Sequence, residues 1–208
     1  MSDKFFLFIK RFFDLTFSLF FIFIFAPLFL FVALGIYCSL GSPILFIQNR
    51  IGKDSKIFRL YKFRTMIISS SLKNDLSRLT RFGNFLRLTS LDEIPQLFNI
   101  LKGEMSFVGP RPLLEEYLPY FDEYQLKRHL VKPGLTGYAQ INGRNISSWD
   151  TRFEHDLWYI QHKSFFIDLL ILFKTFLCIF NMSQIYSNKK QTMSDFRSYK
   201  HNKFKKRM

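Results

Sequence analysis

The residues best suited to chemistry lie between positions 89 and 112, where an acidic pair is followed by a proline and then by a proline-fixed arginine. Asp92 and Glu93 are adjacent, and Pro95 stands two residues later. A proline is tolerated in the first turn of a helix, because its missing N–H would have no partner there. The sequence therefore predicts a helix that starts near Ser90–Glu93, with Pro95 in its first turn. Both carboxylates would then lie where free N–H groups and the helix dipole favour anions.

Two interpretations of the acidic pair are open at this point. The segment Ser90-Leu91-Asp92-Glu93 fits the capping box S-x-x-E, in which the carboxylate only satisfies backbone N–H groups. On residue types alone this capping role is favoured over catalysis. The surrounding motifs shift the balance toward catalysis.

The second element of this stretch is Gly109-Pro110-Arg111-Pro112. The prolines have a fixed φ, and Pro112 also restricts the backbone of Arg111. A guanidinium held in this way suits bidentate recognition of phosphate. The alternative is a rigid loop whose arginine is merely solvated.

Composition indicates one basic domain associated with a membrane. The chain has 208 residues, a formal net charge of +14 and 28 phenylalanines, which are partly explained by contact with lipid. Cys38 and Cys178 lie in or beside apolar runs, which indicates buried thiols and no disulfide. The histidines at 129, 155, 162 and 201 are too scattered for a zinc site.

Residues 17–37 carry no charge and are long enough to span a bilayer. A signal peptide is disfavoured, because the apolar run is too long. A straight span is the default interpretation, but basic residues flank both ends, and positive charge marks the cytoplasmic side. A helix bent at Ala26-Pro27 would return both flanks to that side, with arms of about ten residues, or roughly 15 Å each. The charge pattern therefore favours a re-entrant hairpin.

The remaining sequence predicts an α+β fold that is mainly helical, with a small β-hairpin and amphipathic helices at the membrane interface. The strands are expected at Ile44–Gln48 and Ile57–Phe63. Residues 136–145 are expected to form a loop and strand. Helices are expected at Ser77–Leu88, Leu114–Val131, Trp149–Lys163 and Ser164–Phe180.

Three regions are expected. Residues 1–43 would form the membrane-inserted re-entrant helix, residues 44–180 a cytoplasmic catalytic domain, and residues 181–208 a basic disordered tail. The tail carries eight Lys and Arg residues against Asp195 alone, a net charge of +7. It would lie on an anionic membrane surface. No nucleic-acid partner is expected, since neither a reader fold nor a stacking platform is visible.

Taken together, the motifs resemble those of the bacterial polyprenyl-phosphate hexose-1-phosphate transferases, the monotopic phosphoglycosyl transferases, in their small form. The resemblance covers roughly residues 10–175. One departure is Ala26-Pro27, where many members have Ser-Pro. The matching stretches are KRFFDLTFS, GSPILFIQNRIGK, FRLYKFRTM, TRFGNFLR, SLDEIPQLFNILKGEMSFVGPRPLLEEYL, RHLVKPGLTGYAQINGRN and FEHDLWYI.

The resemblance implies transfer of a sugar-1-phosphate from a UDP-sugar to undecaprenyl phosphate, a polyprenyl phosphate lipid, with release of UMP. Asp92 would be the nucleophile of a covalent intermediate, and Glu93 would help to bind Mg²⁺. The product would start a polysaccharide such as capsule or lipopolysaccharide. The protein would act at the cytoplasmic face of the bacterial inner membrane, and a homodimer is among the expected assemblies. The substrate-binding residues would be Lys62, Arg64, Arg87, Arg111, Arg144 and Asp156.

Two alternatives remain. A non-catalytic protein could use its basic hairpin and tail to bind an anionic membrane surface, and Asp92 would then be only a cap. A direct-transfer enzyme would catalyse the same reaction without a covalent intermediate.

Overall fold

A computed structural model describes residues 3–68, 78–142, 148–180 and 195–205. The chain divides into two compact units. We call residues 11–48 and 59–103 the hairpin unit, and residues 1–10, 49–58 and 104–208 the C-terminal unit.

The described helices are α1 Asp3–Ile24, α2 Ala26–Leu40, α3 Arg81–Leu88, α4 Gln96–Lys102, α5 Glu123–Leu126, α6 Tyr138–Ile141, α7 Trp149–His162, α8 Phe165–Phe180 and α9 Phe196–Lys205. The described strands are β1 Leu45–Ile51, β2 Ile57–Phe63, β3 Ser106–Val108 and β4 Gly134–Thr136.

The mainly helical α+β class is confirmed. Strands β1 and β2 form the predicted antiparallel hairpin, although β1 runs three residues beyond the predicted end at Gln48. Strands β3 and β4 pair in parallel, with Ser106 opposite Gly134 and Val108 opposite Thr136. Neither strand was predicted, because three-residue strands are too short for a clear alternation of apolar and polar residues. The loop and strand expected at residues 136–145 meets β4 only at Thr136, and helix α6 occupies Tyr138–Ile141, so that expectation is wrong for these residues.

Helices α1 and α2 are separated by one residue, Phe25. Pro27 lies in the first turn of α2, where a proline needs no hydrogen-bond partner for its nitrogen. Among the described residues, no single helix has the length and hydropathy to cross a membrane; only α1 and α2 taken together do, and they are bent by 61°. The break therefore falls where the proline predicted it.

The hairpin unit has its core between α2, β2 and α3, around the buried residues Val32, Ile36, Phe63 and Leu86. Helix α3 begins at Arg81. Its N-cap is Thr80, whose side chain accepts a hydrogen bond from the Gly83 N–H at 3.0 Å. A Cβ on Gly83 would lie 2.0 Å from the Thr65 carbonyl oxygen, so the mid-helix glycine permits a close backbone contact. The predicted helix start at position 77 lies outside the described residues.

Both flanks of the apolar stretch that follows Arg11 are bound within the hairpin unit. Near the start, the Arg11 guanidinium donates to the Ile100 and Leu101 carbonyls at 2.7 and 2.8 Å. At the end of α2, the Arg64 guanidinium donates to the carbonyls of residues 40, 41 and 42. The last carbonyls of a helix lack the usual intrahelical donor, and the two arginines supply donors at the ends of α4 and α2. The Ile100 carbonyl also accepts from the Gly103 N–H.

The C-terminal unit corrects the predicted helix Leu114–Val131. That segment forms a 3₁₀ turn at Glu115–Tyr120, the short helix α5, and a second 3₁₀ turn at Lys127–Leu130. The Asp122 side chain accepts a hydrogen bond from the Gln125 N–H at 2.9 Å and thereby starts a new helix. Pro119 and this cap divide the segment, because neither suits a helix interior.

Helices α7 and α8 confirm the predicted helices at these positions. Asp168 of α8 forms an ion pair with Lys10, and it accepts a hydrogen bond from the Tyr159 hydroxyl at 2.7 Å. Several apolar side chains on α8 are exposed, with Phe166 at 82% and Phe173 at 61%. The interfacial position of this helix stays a prediction.

The expectation of a disordered tail is wrong for residues 195–205, which include helix α9. Phe196 is fully buried in a cluster with Leu113, Tyr117, Trp149 and Phe153. Burial of this aromatic ring anchors a segment that is otherwise strongly polar. The rest of the predicted tail lies outside the described residues. The predicted region boundaries after positions 43 and 180 stay predictions.

Candidate active site

The acidic pair lies in a short 3₁₀ turn, Leu91–Glu93, and not in the first turn of an α-helix. Ser90 has φ 58° and makes no side-chain capping bond. A residue that caps with its side chain typically has extended backbone, whereas Ser90 is left-handed. Helix α4 begins only at Gln96, with Pro95 as its N-cap. The predicted helix start at Ser90–Glu93 is therefore wrong, and the capping box is not formed.

Glu93 is held by Lys62 of strand β2. Its Oε1 accepts from the Lys62 Nζ at 2.6 Å, and both side chains are less than one-fifth exposed. Partial burial strengthens an ion pair relative to one at the surface. The structure thus brings together two of the predicted site residues.

Asn99 fixes α4, and hence the turn before it, against strand β2. Its side chain accepts from the Tyr61 N–H at 3.1 Å and donates to the Arg59 carbonyl at 2.7 Å. It is completely buried. Sequence reasoning missed Asn99, although an amide inside the apolar run of α4 is a usable signal, since a buried polar group must be satisfied.

Arg87 and Arg64, both predicted to bind substrate, have different surroundings. Arg87 is exposed on α3, and its Nε donates to the Thr65 hydroxyl at 2.9 Å. Arg64 is buried and donates to backbone carbonyls at the end of α2. These contacts give Arg64 a structural role in the hairpin unit.

In the C-terminal unit, the Gly109–Pro112 loop is fixed by the edge of β4. The Gly109 N–H donates to the Thr136 carbonyl at 2.9 Å, and the Gly134 N–H donates to the Pro110 carbonyl at 3.0 Å. A Cβ on Gly134 would lie 2.1 Å from the Gly109 nitrogen. Glycine is therefore required at position 134 for this close approach.

Arg128 fixes the same loop from behind. Its Nη2 donates to the Arg111 carbonyl at 2.8 Å and to the Asp156 carboxylate at 2.7 Å. Both ionic side chains are almost fully buried. Burial raises the pKa of the Asp156 carboxyl, while the charge and hydrogen bonds of Arg128 oppose that rise. Asp156 therefore orients Arg128, and this buried contact differs from the substrate contact predicted for it.

Arg152 adds to the positive charge of this region. Burial lowers its pKa to about 10, with the nearby charge of Arg111 as the next cause. Its guanidinium lies 5.3 Å from the centroid of the Trp149 ring. The charges of Arg111, Asp156 and Arg128 all act on Arg152. A cluster of guanidinium groups of this kind suits an anion. Sequence reasoning missed Arg152, which lies one helical turn before Asp156.

The predicted site residues are distributed over both units. Lys62, Arg64, Arg87, Asp92 and Glu93 belong to the hairpin unit, and Arg111 and Asp156 belong to the C-terminal unit. Arg144 lies outside the described residues. Among the described residues, no group of three or more His, Cys, Asp and Glu side chains could enclose a metal ion.

Comparison with known proteins gives a consistent family. The family model for bacterial sugar transferases matches residues 5–182. The chain is 50% identical over 168 residues to the uncharacterized sugar transferase EpsL of Bacillus subtilis, covering 79% of this chain and 83% of that protein. It is 41% identical over 180 residues to the UDP-N-acetylgalactosamine-undecaprenyl-phosphate N-acetylgalactosaminephosphotransferase of Aeromonas hydrophila, covering 81% of this chain and 43% of that protein.

A third relative is the UDP-glucose:undecaprenyl-phosphate glucose-1-phosphate transferase of Xanthomonas campestris pv. campestris. It is 40% identical over 165 residues, which cover 72% of this chain and 34% of that protein. The chain thus spans less than half the length of the two relatives whose names state a reaction.

Proposed function

Because the chain belongs to the bacterial sugar transferase family, we propose that it transfers a sugar-1-phosphate from a UDP-sugar to undecaprenyl phosphate. The proposal extends to this chain the reaction that the names of two relatives state. The product is a diphosphate-linked lipid sugar, the starting unit of a lipid-linked glycan.

The observation that carries the chemistry is the position of Asp92 and Glu93. They lie in a 3₁₀ turn whose preceding Ser90 forms no cap, and Glu93 is paired with Lys62 at 2.6 Å. A capping box would explain two carboxylates at this point without catalysis. It requires a capping hydrogen bond from a backbone N–H to the Ser90 side chain, and Ser90 makes no such bond. A nucleophile beside a second, cation-held carboxylate explains the arrangement better.

In the proposed mechanism an Asp92 carboxylate oxygen attacks the phosphorus that carries the sugar. The new O–P bond forms as the bond to the bridging oxygen of the diphosphate breaks, and UMP leaves with that oxygen. A phosphate oxygen of undecaprenyl phosphate then attacks the same phosphorus and displaces the Asp92 carboxylate. A covalent intermediate lets the two bulky substrates react one after the other.

Arg111 is proposed to neutralise the diphosphate of the donor. Its backbone is fixed by Arg128 and by strand β4, so the planar guanidinium starts from a restricted position. Charge neutralisation and positioning are the main requirements of phosphoryl transfer.

The donor atoms of this site fit Mg²⁺. The ion is commonly bound by one or two carboxylates together with substrate phosphates and water, and Asp92-Glu93 offers such a pair. Glu93 would hold the ion, and Lys62 would orient the Glu93 carboxylate. When bound, Mg²⁺ would supply charge neutralisation at the phosphate oxygens.

We propose that α1 and α2 form a re-entrant membrane hairpin and that the catalytic residues act at the cytoplasmic face. Exposed apolar side chains are frequent on both helices, with Phe23 at 82% and Phe31 at 69%. Large exposed apolar surfaces mark membrane or partner contacts.

The test is to give the purified protein a panel of UDP-sugars, first without and then with undecaprenyl phosphate. With the correct donor alone we expect about one UMP per active site and a mass increase equal to the sugar-phosphate. Undecaprenyl phosphate should then remove the adduct. Turnover without an adduct would indicate direct transfer. Absence of both UMP release and turnover with every donor would favour the non-catalytic membrane-binding alternative.

A further inference from the structure

Helix α9 lies beyond residues 5–182, the part of the chain that matches the family model, yet it packs into the C-terminal unit. The Phe196 ring is fully buried. Its centroid lies 4.9 Å from that of Trp149, 5.4 Å from Phe153 and 5.5 Å from Tyr117. The Phe121 ring adds a further contact at 5.2 Å. These aromatic contacts around one ring fix the start of α9.

Polar contacts hold the rest of the helix in register. Asp150 accepts from the Tyr199 hydroxyl at 2.5 Å and from the Lys203 Nζ at 2.6 Å. Lys200 pairs with Asp122 at 3.2 Å. Exposed ion pairs contribute little individually, so Phe196 supplies most of the attachment.

The residues that surround Phe196 also support Arg128 and Arg152. We call these two arginines, together with Arg111, the anion-binding region. The Arg128 guanidinium lies 5.6 Å from the centroid of Phe153, and the Arg152 guanidinium lies 5.3 Å from that of Trp149. Phe196 therefore packs against Phe153 and Trp149, the aromatic members of these two cation–π pairs.

Phe196 is also linked to the Arg111 loop through the chain itself. Leu113, two residues after Arg111, is buried in the same cluster. Its carbonyl accepts from the Ile51 N–H at 3.0 Å, and the Arg111 carbonyl accepts from Arg128. One aromatic ring thus supports the loop from Leu113 and from Arg128.

We propose that Phe196 is a positioning residue for donor binding. Through Leu113, Trp149 and Phe153 it holds Arg111 and Arg152 in the orientation that receives the diphosphate of the nucleotide sugar. The proposal rests on the proposed function and adds to it a residue outside the family match. It makes α9 a strap across the back of the anion-binding region.

The test compares Phe196→Ala with Phe196→Leu, which keeps an apolar side chain of substantial volume, and with Lys205→Ala at the exposed end of the same helix. We expect KM for the UDP-sugar to rise about tenfold in Phe196→Ala, with kcat changed much less. Phe196→Leu should restore most of the affinity, and Lys205→Ala should match the wild type. A lower thermal midpoint and a smaller active fraction, with KM unchanged, would overturn the proposal.

Tyr199→Phe combined with Lys203→Met provides a second variant that keeps the aromatic cluster intact. It removes both side-chain bonds to Asp150 and should raise KM in the same direction, by a smaller factor. An unchanged KM in this variant, with α9 released in hydrogen exchange, would also overturn the proposal.

A measurement without substrate separates this proposal from the proposed function. Hydrogen exchange of the Ile51 and Gly134 amides reports on the bonds to the Leu113 and Pro110 carbonyls. Both amides should exchange faster in Phe196→Ala while core amides of α7 stay protected. If the wild type transfers no sugar-phosphate, the proposed function fails and this measurement still tests the strap. Unchanged exchange at both amides would refute it.

Discussion

At Asp92 the two roles of a carboxylate near a helix start predict opposite results for one substitution. Asparagine caps helices about as well as aspartate, so Asp92→Asn would be nearly silent if capping were the role. An amide is a much poorer nucleophile toward phosphorus. We therefore expect UMP release to fall by at least about a thousandfold while the thermal midpoint stays unchanged.

Glu123→Gln is the matched control for that experiment, because it neutralises an exposed carboxylate in the first turn of α5. It should retain wild-type turnover. Full activity in Asp92→Asn would exclude the nucleophile role, and a missing adduct in the active wild type would leave only direct transfer.

Arg111 is predicted to need its shape as well as its charge. Arg111→Lys keeps the positive charge but loses the planar fork that binds phosphate through two bonds. We expect kcat/KM for the donor to fall by about ten- to a hundredfold. Stability should be preserved, since Arg128 and strand β4 hold the loop through its backbone atoms. The measurement is UMP release over a range of donor concentrations.

The control for Arg111→Lys is Arg81→Lys, the same exchange at an exposed position in the first turn of α3. It should leave kcat/KM unchanged. Unimpaired transfer by Arg111→Lys would show that a point charge is sufficient, and the bidentate role would then be abandoned.

How far the sequence could predict the site differs from residue to residue. Residue type and motif are sufficient to propose Asp92, Glu93 and Arg111 as chemical groups. They do not reveal which way a side chain points. Only the three-dimensional structure shows that Arg64 and Asp156 are buried against protein atoms. The Lys62–Glu93 pair joins positions 31 residues apart, so no local pattern could reveal it.

At the scale of elements, the end of α2 depends on Arg64. Its guanidinium donates to three carbonyls and lies in the interior of the hairpin unit. In Arg64→Met those carbonyls lose their guanidinium donor, and a hydrogen bond to a charged group contributes about 1.5–3 kcal/mol. We expect the free energy of unfolding in detergent to fall by about that amount, with donor KM unchanged in the folded fraction.

Arg59→Met is the control for Arg64→Met, because Arg59 is exposed on strand β2, which ends one residue before Arg64. Its effect on stability should be small. A raised donor KM with unchanged stability in Arg64→Met would instead favour the substrate contact that the resemblance implies.

The turn between β1 and β2 gives a prediction about pH. Ser55, with φ 59°, places its hydroxyl 3.2 Å from the Nδ1 of His129. Burial lowers the pKa of His129 to about 3, assisted by the charge of Arg128. Between pH 6.5 and 3 the unfolded state binds a proton that the folded state excludes, so stability falls as the pH falls.

Lowering the pH from 7.5 to 5.5 should therefore reduce the free energy of unfolding by about 1.4 kcal/mol through this one group. His129→Gln removes the titrating group. The difference in the free energy of unfolding between wild type and variant should therefore be smaller by that amount at the lower pH. Chemical unfolding at both pH values measures it. If that difference in the free energy of unfolding does not change with pH, the prediction that His129 is buried in its neutral form is wrong.

Elements with strong periodicity were predictable, and those set by tertiary contacts were not. Helices α7 and α8 follow their patterns closely. Helix α9 did not stand out, because its polar residues resemble a solvated tail and its attachment depends on one buried ring. The break into 3₁₀ turns between Glu115 and Leu130 follows from a proline and a local cap, which compete with helix periodicity.

At the scale of the whole molecule, the contacts of two arginines restrict how the chain meets a membrane. Arg11 binds the carbonyl end of α4, and Arg64 binds the end of α2; both pairs belong to the hairpin unit. The apolar stretch between them thus starts and ends on one polar body. A straight span would place its ends about 30 Å apart across the hydrocarbon core, and these contacts could not both persist.

Both termini are therefore predicted to lie on the cytoplasmic side. Single cysteines would replace Asp3 and Lys190 in a background lacking Cys38 and Cys178. The expectation of buried thiols is wrong, because Cys38 is exposed and Cys178 only half-buried, so Cys38 would react itself. An impermeant thiol reagent added to intact cells should label neither position, and both should react after the inner membrane is opened. A cysteine added to a periplasmic loop of an unrelated membrane protein serves as the positive control. Labelling of position 3 in intact cells would exclude the hairpin, since only a straight span exposes that end while Lys190 stays inside.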